Sequence, residues 1–456
     1  MGKRPFFCNN EYGNVAKMVK QVKNGGSPLA EGRVVGLDHE GRGVARQNGK
    51  AVFIRGALPG EKVLYRINRE DRRFDEADAV RIVEASDYRQ EPPCPHYGDC
   101  GGCSMQHIEF SAQVAFKQRV VEEQCLRLAK SMPEQILPPI YGLPWHYRER
   151  GRLSVCSDEK GRLKIGFQAR KSRDTINIST CPILPRHLTA ILPLLKKQLH
   201  SLSNILKGIE FAVGIGGVTA LNLLFTHKPS DKQTGYLHEL QTELGSDWHL
   251  SWQTAKGGVH LSDGGKNLLH YRLTDFDIDM AFTVGSFTQV NAALNNLMVR
   301  RAVDLIAPEK GERIADLFCG AGNFSLPLAR SGAEITGIEG LAELTGQACA
   351  NARRNNLTNL KFQTADLFKT ERNIFETLKK SDKILLDPPR AGAHALAKAL
   401  PDKNWPARIV YVSCNPATFA RDVAEFVKKG YKFKKLGIMN LFSQTAHVEI
   451  VGCFEC

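Results

Sequence analysis

The chain has 456 residues, 42% of them hydrophobic and 24% charged, too long for one ordinary core and in keeping with about three soluble domains. A formal charge of +14, with an isoelectric point near 9.2, makes a polyanion the expected large partner. No apolar run reaches transmembrane length, Met1 to Asn24 carries polar groups where a secretory leader would be apolar, and the 12 cysteines are scattered, so membrane and disulfide-framework classes are excluded and a cytoplasmic location is expected.

Residues 1–26 mix Lys, Asn and Gly without a period and read as a basic arm, in which Cys8 receives no role. From 27 to 87 the pattern turns to short strands around Gly32, Ala51, Glu61 and Ala77, with turns at Gly41, Gly43, Asn48-Gly49 and Pro59-Gly60. That spacing predicts an OB-like barrel of about five strands. Arg42, Arg46, Lys50, Arg55, Lys62, Arg66, Arg69, Arg72 and Arg73 would give it the charge of a nucleic-acid binder. It resembles a TRAM domain, the small RNA-binding barrel appended to several RNA-modifying enzymes.

Residues 88–285 are read as a β-rich central domain that opens on C-P-H-Y-G-D-C-G-G-C, Cys94 to Cys103. Three cysteines this close, with Gly101-Gly102 letting the backbone fold around an inserted object, signal a ligand set. Zinc sites more often come as two C-x2-C pairs, so the unequal spacing favours an iron–sulfur cluster over zinc. Cys181, in a loop and followed by proline, is the choice for fourth ligand, with His96 and His107 as substitutes. Cys125 and Cys156 fall in helical and strand patterns and are expected in the core. A helix over 106–130, with a stripe of Val114, Val121 and Leu128, is expected to pack on the catalytic domain. After the Pro138-Pro139 linker, Tyr147 to Ile178 predicts a β-meander whose exposed face carries His146, Arg148, Arg150, Arg152, Lys164, Arg170, Lys171 and Arg173. A helix over His187 to Leu199 and strands within Ile209 to Phe225 and His260 to Tyr271 complete this part.

Residues 286–456 are read as a Rossmann-like domain, because strand and helix alternate from Glu312 onward. The first strand ends in Gly320-Ala321-Gly322, where a ligand can approach the backbone. Ser325 holds the place of the third glycine in the dinucleotide fingerprint, and the loop alone does not separate NAD from S-adenosylmethionine. Strand-end carboxylates follow: Glu339 for ribose hydroxyls, Asp366 for an adenine amino group, and Asp387 before two prolines. In R-I-V-Y-V-S-C-N-P-A-T-F-A-R-D-V, Arg408 to Val423, a β-branched strand meets a helix with Asn415 as N-cap, Pro416 in the first turn, and Phe419, Val423, Phe426 and Val427 on one face. Cys414 sits at that junction, where ligands of open α/β sheets bind and a helix N-terminus favours a thiolate.

D-L-F-C-G-A-G-N-F-S, L-L-D-P-P-R-A-G, Y-V-S-C-N-P and H-V-E-I-V, in that order, resemble the signatures of the RNA uracil-C5-methyltransferase family. The added barrel and cysteine run resemble the 23S rRNA branch of that family rather than its tRNA branch, and extend the likeness over nearly the whole chain. The resemblance implies S-adenosylmethionine contacts at Gln289, Phe318, Asn323, Glu339, Asp366 and Asp387, and a [4Fe–4S] cluster on Cys94, Cys100, Cys103 and Cys181. It further implies 23S rRNA as partner, and a monomer is expected. Carbon 5 of uracil is a poor nucleophile, so Cys414 is expected to add to carbon 6 and Glu449, in an apolar strand that would raise its pKa, to remove the carbon 5 proton afterwards. Phe287 would stack on an extruded base or else pack in the core. An NAD-dependent oxidoreductase and a non-catalytic iron–sulfur RNA-binding protein are the alternatives; the first leaves Cys414, Glu449 and the basic barrel without a task.

Overall fold

A computed structural model describes residues 28–257, 259–261, 268–369, 372–400 and 406–456, of which 259–261, 372 and 373 are described by backbone alone. The arm over 1–26, Cys8 included, lies outside the described residues. The chain forms two compact units: one ends at Pro92 and takes in Ser104–Glu109, and the other comprises Pro93–Cys103 and Phe110–Cys456. Among the described residues no helix is long and apolar enough to cross a membrane.

The first unit is a sheet of β1 (Ala30–Arg33), β2 (Gly36–Leu37), β3 (Gly43–Gln47), β4 (Lys50–Arg55), β5 (Lys62–Glu70) and β6 (Phe74–Glu84), ordered β1-β5-β6-β4-β3-β2. Val34 N–H bonds Glu61 O at 2.9 Å and Val35 N–H bonds Val44 O at 2.8 Å, so the segment after β1 ties both edges together and closes a barrel. Val52, Ile54, Val63, Tyr65 and Ala77 alternate inward to fill it. Sequence reading missed β3, a polar strand with one β-branched residue; its pairing with β4 follows from the Asn48-Gly49 turn, whose φ values of 50° and 82° suit a tight hairpin. The strongly basic face is also corrected. Lys50 pairs with Asp75 and Arg55 with Asp78, both at 2.6 Å, Lys62 with Glu31 at 2.8 Å, and Arg42 with Asp38 at 2.7 Å. Arg46, Arg72 and Arg73 have no carboxylate partner among the described residues and carry the exposed positive charge.

The second unit begins with helix α1 (Phe110–Gln124) and the short strand β7 (Gln135–Ile136). The predicted helix over 106–130 is thus shorter. It ends in a wide turn, Cys125–Ala129, which rotates Leu128 outward to 47% exposure while Val114, Val121, Cys125 and Ala129 stay in the core. A central sheet follows, of β8 (Arg150–Ser157), β9 (Leu163–Gln168), β10 (Thr175–Asn177), β11 (Leu206–Val213), β12 (Thr219–Phe225), β13 (Trp248–Thr254) and β14 (Val259–Leu261), ordered β10-β9-β8-β11-β12-β13-β14. The helix predicted over 187–199 is instead α2 (Arg186–Ala190) and α3 (Leu192–Gln198), broken at Ile191 ahead of Pro193. Helix α4 (Asp231–Leu244) and β13 were missed in the sequence; α4 opens on a Ser230–Gln233 capping box. Cys156 is half-buried on β8.

The hairpin β15 (Leu269–Leu273) and β16 (Ile278–Phe282) precedes α5 (Ala292–Ile306). Its Leu273, Ile278 and Met280 share a core with α5 and with Val410, Val412 and Val451 of the last sheet. Next come β17 (Arg313–Leu317), α6 (Ser325–Ala329), β18 (Glu334–Glu339), α7 (Ala342–Arg354), β19 (Leu360–Thr364), α8 (Arg372–Leu378), β20 (Lys383–Leu386), α9 (His394–Ala399), β21 (Arg408–Ser413), α10 (Pro416–Lys428), β22 (Lys432–Met439) and β23 (Glu449–Glu455). The sheet order is β19-β18-β17-β20-β21-β23-β22-β7, parallel from β19 to β21, with β23 inserted antiparallel between β21 and β22. Strand order reverses at β17, so a ligand crevice is expected at its C-terminal end.

Candidate active site

Cys414 follows β21 directly, and the helix after it starts as its residues dictate: Asn415 Oδ1 accepts from Ala417 N–H at 3.0 Å and Pro416 lies in the first turn. Phe419, Val423 and Phe426 are fully buried against Tyr411, which fixes α10 on the sheet. The register of β21 with β23 pairs Ser413 with Ile450, so one further step sets Cys414 across from Glu449. On the other side, Leu386 pairs with Tyr411, which brings Asp387 to the same edge.

The electrostatics differ from the sequence expectation of a favoured thiolate. Burial, then the Glu449 carboxylate, then Asp387 push the Cys414 thiol up to about 12, against a downward pull from Arg390. The helix N-terminus does not overcome these. Glu449 is 6% exposed, and burial with Asp387 nearby lifts its carboxyl well above the usual range, Arg390 again opposing. Burial raises Asp387 to about 7. Cys414, Glu449, Asp387 and Arg390 are therefore one electrostatically linked group, in which the thiol and the two carboxyls bind protons more tightly than free groups do. Arg390 lies within L-L-D-P-P-R-A-G, and the sequence signal for it is the need for a cation beside two carboxylates and a thiol. Its loop is held to α10: Asn415 Nδ2 and Thr418 Oγ1 donate to Arg390 O at 3.1 and 3.2 Å, and buried Asp422 accepts from Ala393 N–H at 2.7 Å and from Tyr411 Oη at 2.8 Å.

The expected cofactor residues line the neighbouring strand ends. Phe318 takes a left-handed φ of 63°, rare for a bulky residue and typical of a strained ligand loop. Its ring meets Phe368 at 5.6 Å, which joins the loop after β17 to the loop after β19. Gly322 has φ of 95°, and a Cβ there would run into Leu326, so the turn requires glycine. Glu339 accepts from Gly320 N–H at 3.1 Å and from Leu341 N–H at 3.0 Å. Asp366 accepts from Phe368 N–H at 3.0 Å; that bond and Lys369 hold its carboxyl below the usual range. Asn323 exchanges side-chain hydrogen bonds with Asn295 at 3.0 Å and accepts from Tyr271 Oη at 3.0 Å. Tyr271 and Asn295 in turn line a small pocket with Gln289, Glu149 and Arg150, so Gln289 and Asn323 flank the same side chains. Sequence reading had missed Tyr271, Asn295 and Asp316. The last is fully buried, accepts from Ser325 Oγ at 2.5 Å, leaves Oδ1 without a partner among the described residues, and is raised by burial to about 7.

Phe287 is 61% exposed, with the Arg150 guanidinium 5.3 Å over its ring, so the core-packing alternative is overturned. Arg170 is likewise not part of an open basic face: it donates to Cys103 O and lies over Tyr97.

No disulfide joins the described cysteines, and among the described residues no group of His, Cys, Asp or Glu converges as a single metal ion requires. The cysteine loop is nonetheless pinned beside Cys181. Gly101 N–H bonds Gln168 O at 2.9 Å, Arg170 N–H bonds Asp99 O at 2.9 Å, and a Cβ on Gly101 would stand 3.0 Å from Gln168 O. Cys100 and Cys103 pack on the core that holds Cys181; Cys94 and Cys100 both act electrostatically on Cys181, whose thiol burial raises to about 11. Gly102 N–H points at Cys100 Sγ, 3.4 Å away. His96 lies in the same loop, whereas His107 belongs to the barrel unit.

The family model described as tRNA (uracil-5-)-methyltransferase matches residues 119–454, and the TRAM domain model matches 33–80. The 23S rRNA (uracil(1939)-C(5))-methyltransferase RlmD of Neisseria lactamica is 46% identical, over 92% of this chain and 94% of its own. The protein of the same name from Azoarcus sp. is also 46% identical, over 92% and 98%. The solved structure of Pyrococcus abyssi tRNA (uracil-54, C5)-methyltransferase in complex with S-adenosyl-L-homocysteine superposes with a TM-score of 0.71 at 25% identity, over 93% of this chain and 100% of that one.

Proposed function

The chain belongs to the tRNA (uracil-5-)-methyltransferase family, and on that premise we propose that it methylates carbon 5 of a uridine in 23S rRNA, the position named in its relatives, as a cytoplasmic monomer using S-adenosylmethionine. The observation that carries the reading is the placement of Cys414 across from Glu449 and beside Asp387, at the sheet edge that also gathers Phe318, Asn323, Glu339 and Asp366. S-adenosylmethionine fits this edge: a glycine turn of positive φ follows β17, with carboxylates at the ends of successive strands for ribose and adenine, and when bound it would supply an electrophilic methyl group. Gln289 would close the cavity wall on the same side.

Cys414 Sγ gives its proton to solvent water and, as the thiolate, bonds to carbon 6 of the uracil, and the electron pair of the 5,6 double bond moves onto carbon 5 and the carbonyl oxygen. That charge makes carbon 5 the nucleophile that would accept the methyl group S-adenosylmethionine would supply, the sulfonium leaving as a neutral thioether. Glu449 then removes the remaining proton from carbon 5, the double bond reforms, and Cys414 departs as thiolate. A raised proton affinity at Glu449 suits this last step, because carbon 5 is a weak acid. Phe287, exposed and backed by Arg150, would stack on a base when the target uridine leaves its helix, and the barrel over 27–87 would hold the RNA.

Purified protein with labelled S-adenosylmethionine is expected to methylate 23S rRNA and not tRNA, and a strain lacking it should be missing one 5-methyluridine in 23S rRNA. Transfer to tRNA alone would move the chain to the other branch.

The same reading places a [4Fe–4S] cluster on Cys94, Cys100, Cys103 and Cys181. The donor set fits: sulfur only, half-buried to buried, with a backbone N–H on one sulfur, and a cubane spaces its ligands more widely than a single ion does. It would tie the cysteine loop to the segment before α2. Protein purified without air should be brown, with equal iron and acid-labile sulfide, and Cys181→Ala should lose both. A colourless zinc protein would refute the cluster.

A further inference from the structure

We propose that Lys117 is a positioning residue for this reaction: from α1 its buried amine holds the segment between β22 and β23 that delivers Glu449 to its place across from Cys414. The inference rests on Glu449 being the base. Lys117 is 3% exposed, and its Nζ donates to Asn440 Oδ1 at 2.6 Å and to Phe442 O at 3.0 Å. One helical turn earlier Gln113 makes a reciprocal pair with Gln444, donating from Nε2 to Oε1 at 3.0 Å and accepting at Oε1 from Gln444 N–H at 3.1 Å. Tyr147 Oη donates to Ser443 O at 2.6 Å from a third direction.

The segment holds itself only in part, through Thr445 Oγ1 donating to Phe442 O at 2.9 Å and His447 N–H donating to Thr445 Oγ1 at 3.3 Å. Gln444 is buried at a left-handed φ of 67°, and Asn440 Nδ2, Ser443 Oγ and Gln444 Nε2 are buried without partners among the described residues. Such a segment persists only if its surroundings over-determine it, and Lys117 and Gln113 supply that constraint. Packing alone does not account for a lysine here, whose amine burial pulls down to about 7. Its two acceptors are an amide and a carbonyl, not carboxylates, and a methionine would fill similar space without desolvating an amine. The same segment carries His447, whose imidazole is kept neutral by burial and by the charges of Arg390, Lys117 and Arg148.

Lys117→Met is expected to keep or raise the melting temperature while kcat falls about ten- to a hundredfold, the loss typical of a small misplacement of a reacting group. KM for S-adenosylmethionine should stay within about twofold. A protein–RNA adduct should build up, because a displaced base slows the elimination. Gln113→Leu should reproduce the loss in weaker form, and it decides the matter if Lys117→Met does not fold. Unchanged kcat, or a fall in kcat that only tracks a fall in melting temperature, overturns the proposal. Clean turnover by Glu449→Gln would remove the base assignment by itself; a stable Lys117→Met with lowered kcat would then still tie the segment to the reaction.

Discussion

Cys414→Ala should abolish methyl transfer to RNA, a loss on the order of 10⁴-fold or more, while S-adenosylmethionine still binds. Alanine removes the sulfur proposed to add to carbon 6 yet leaves β21, the Asn415 cap and the buried face of α10 as they are. The residues proposed to hold the cofactor stand elsewhere and lose nothing. A filter assay with labelled cofactor and calorimetric titration of S-adenosylmethionine would separate chemistry from binding. Methyl transfer that survives would eliminate the covalent route. The wild-type protein adds a pH test. With the thiol lifted to about 12, the thiolate fraction rises tenfold for each pH unit below that value. Adduct formation measured in single turnovers should therefore keep climbing above pH ~8.5, where an unperturbed thiol would level off. A plateau there would show that RNA entry, or Arg390, lowers the thiol pKa before attack.

Glu449→Gln should trap the methylated protein–RNA adduct and cut turnover by about 10²- to 10⁴-fold. A carboxamide keeps the shape but accepts no proton, so carbon 5 keeps its hydrogen and the cysteine cannot leave. The substitution also takes away one of the two carboxylates that raise the Cys414 thiol, so the thiol pKa falls and the first step should be as fast as wild type or faster. A denaturing gel should show a slower band carrying labelled methyl, about one per protein. Absence of the band with normal product release would assign proton removal to another group, with Asp387 the nearest candidate in this electrostatic group.

What could be read in the sequence was what is local. The strand, cap and apolar stripe around Cys414 lie within one stretch of chain, and each residue's preference agrees with its neighbours'. The glycine turn and the strand-end carboxylates were legible for the same reason. What surrounds Cys414 was not. Its high proton affinity comes from Asp387 and Glu449, which reach it through sheet register, and Arg390 through a loop tied to α10. Long-range pairing likewise neutralises much of the barrel's charge, which composition counts as available. Leu128 and the helix predicted over 187–199 failed at a wide turn and a proline-induced break, features that periodicity averages away.

Helix α1 and strand β7 precede the central sheet in the chain, yet α1 packs with α10 and β7 pairs with β22, near the other end. A ribosome therefore releases this amphipathic helix long before the surface it fits has been made. Its apolar face must wait through synthesis of the entire intervening domain, a delay of the kind that favours chaperone capture and slow closure of contacts distant along the chain. Completion of the catalytic half is thus a late event in the life of the nascent polypeptide.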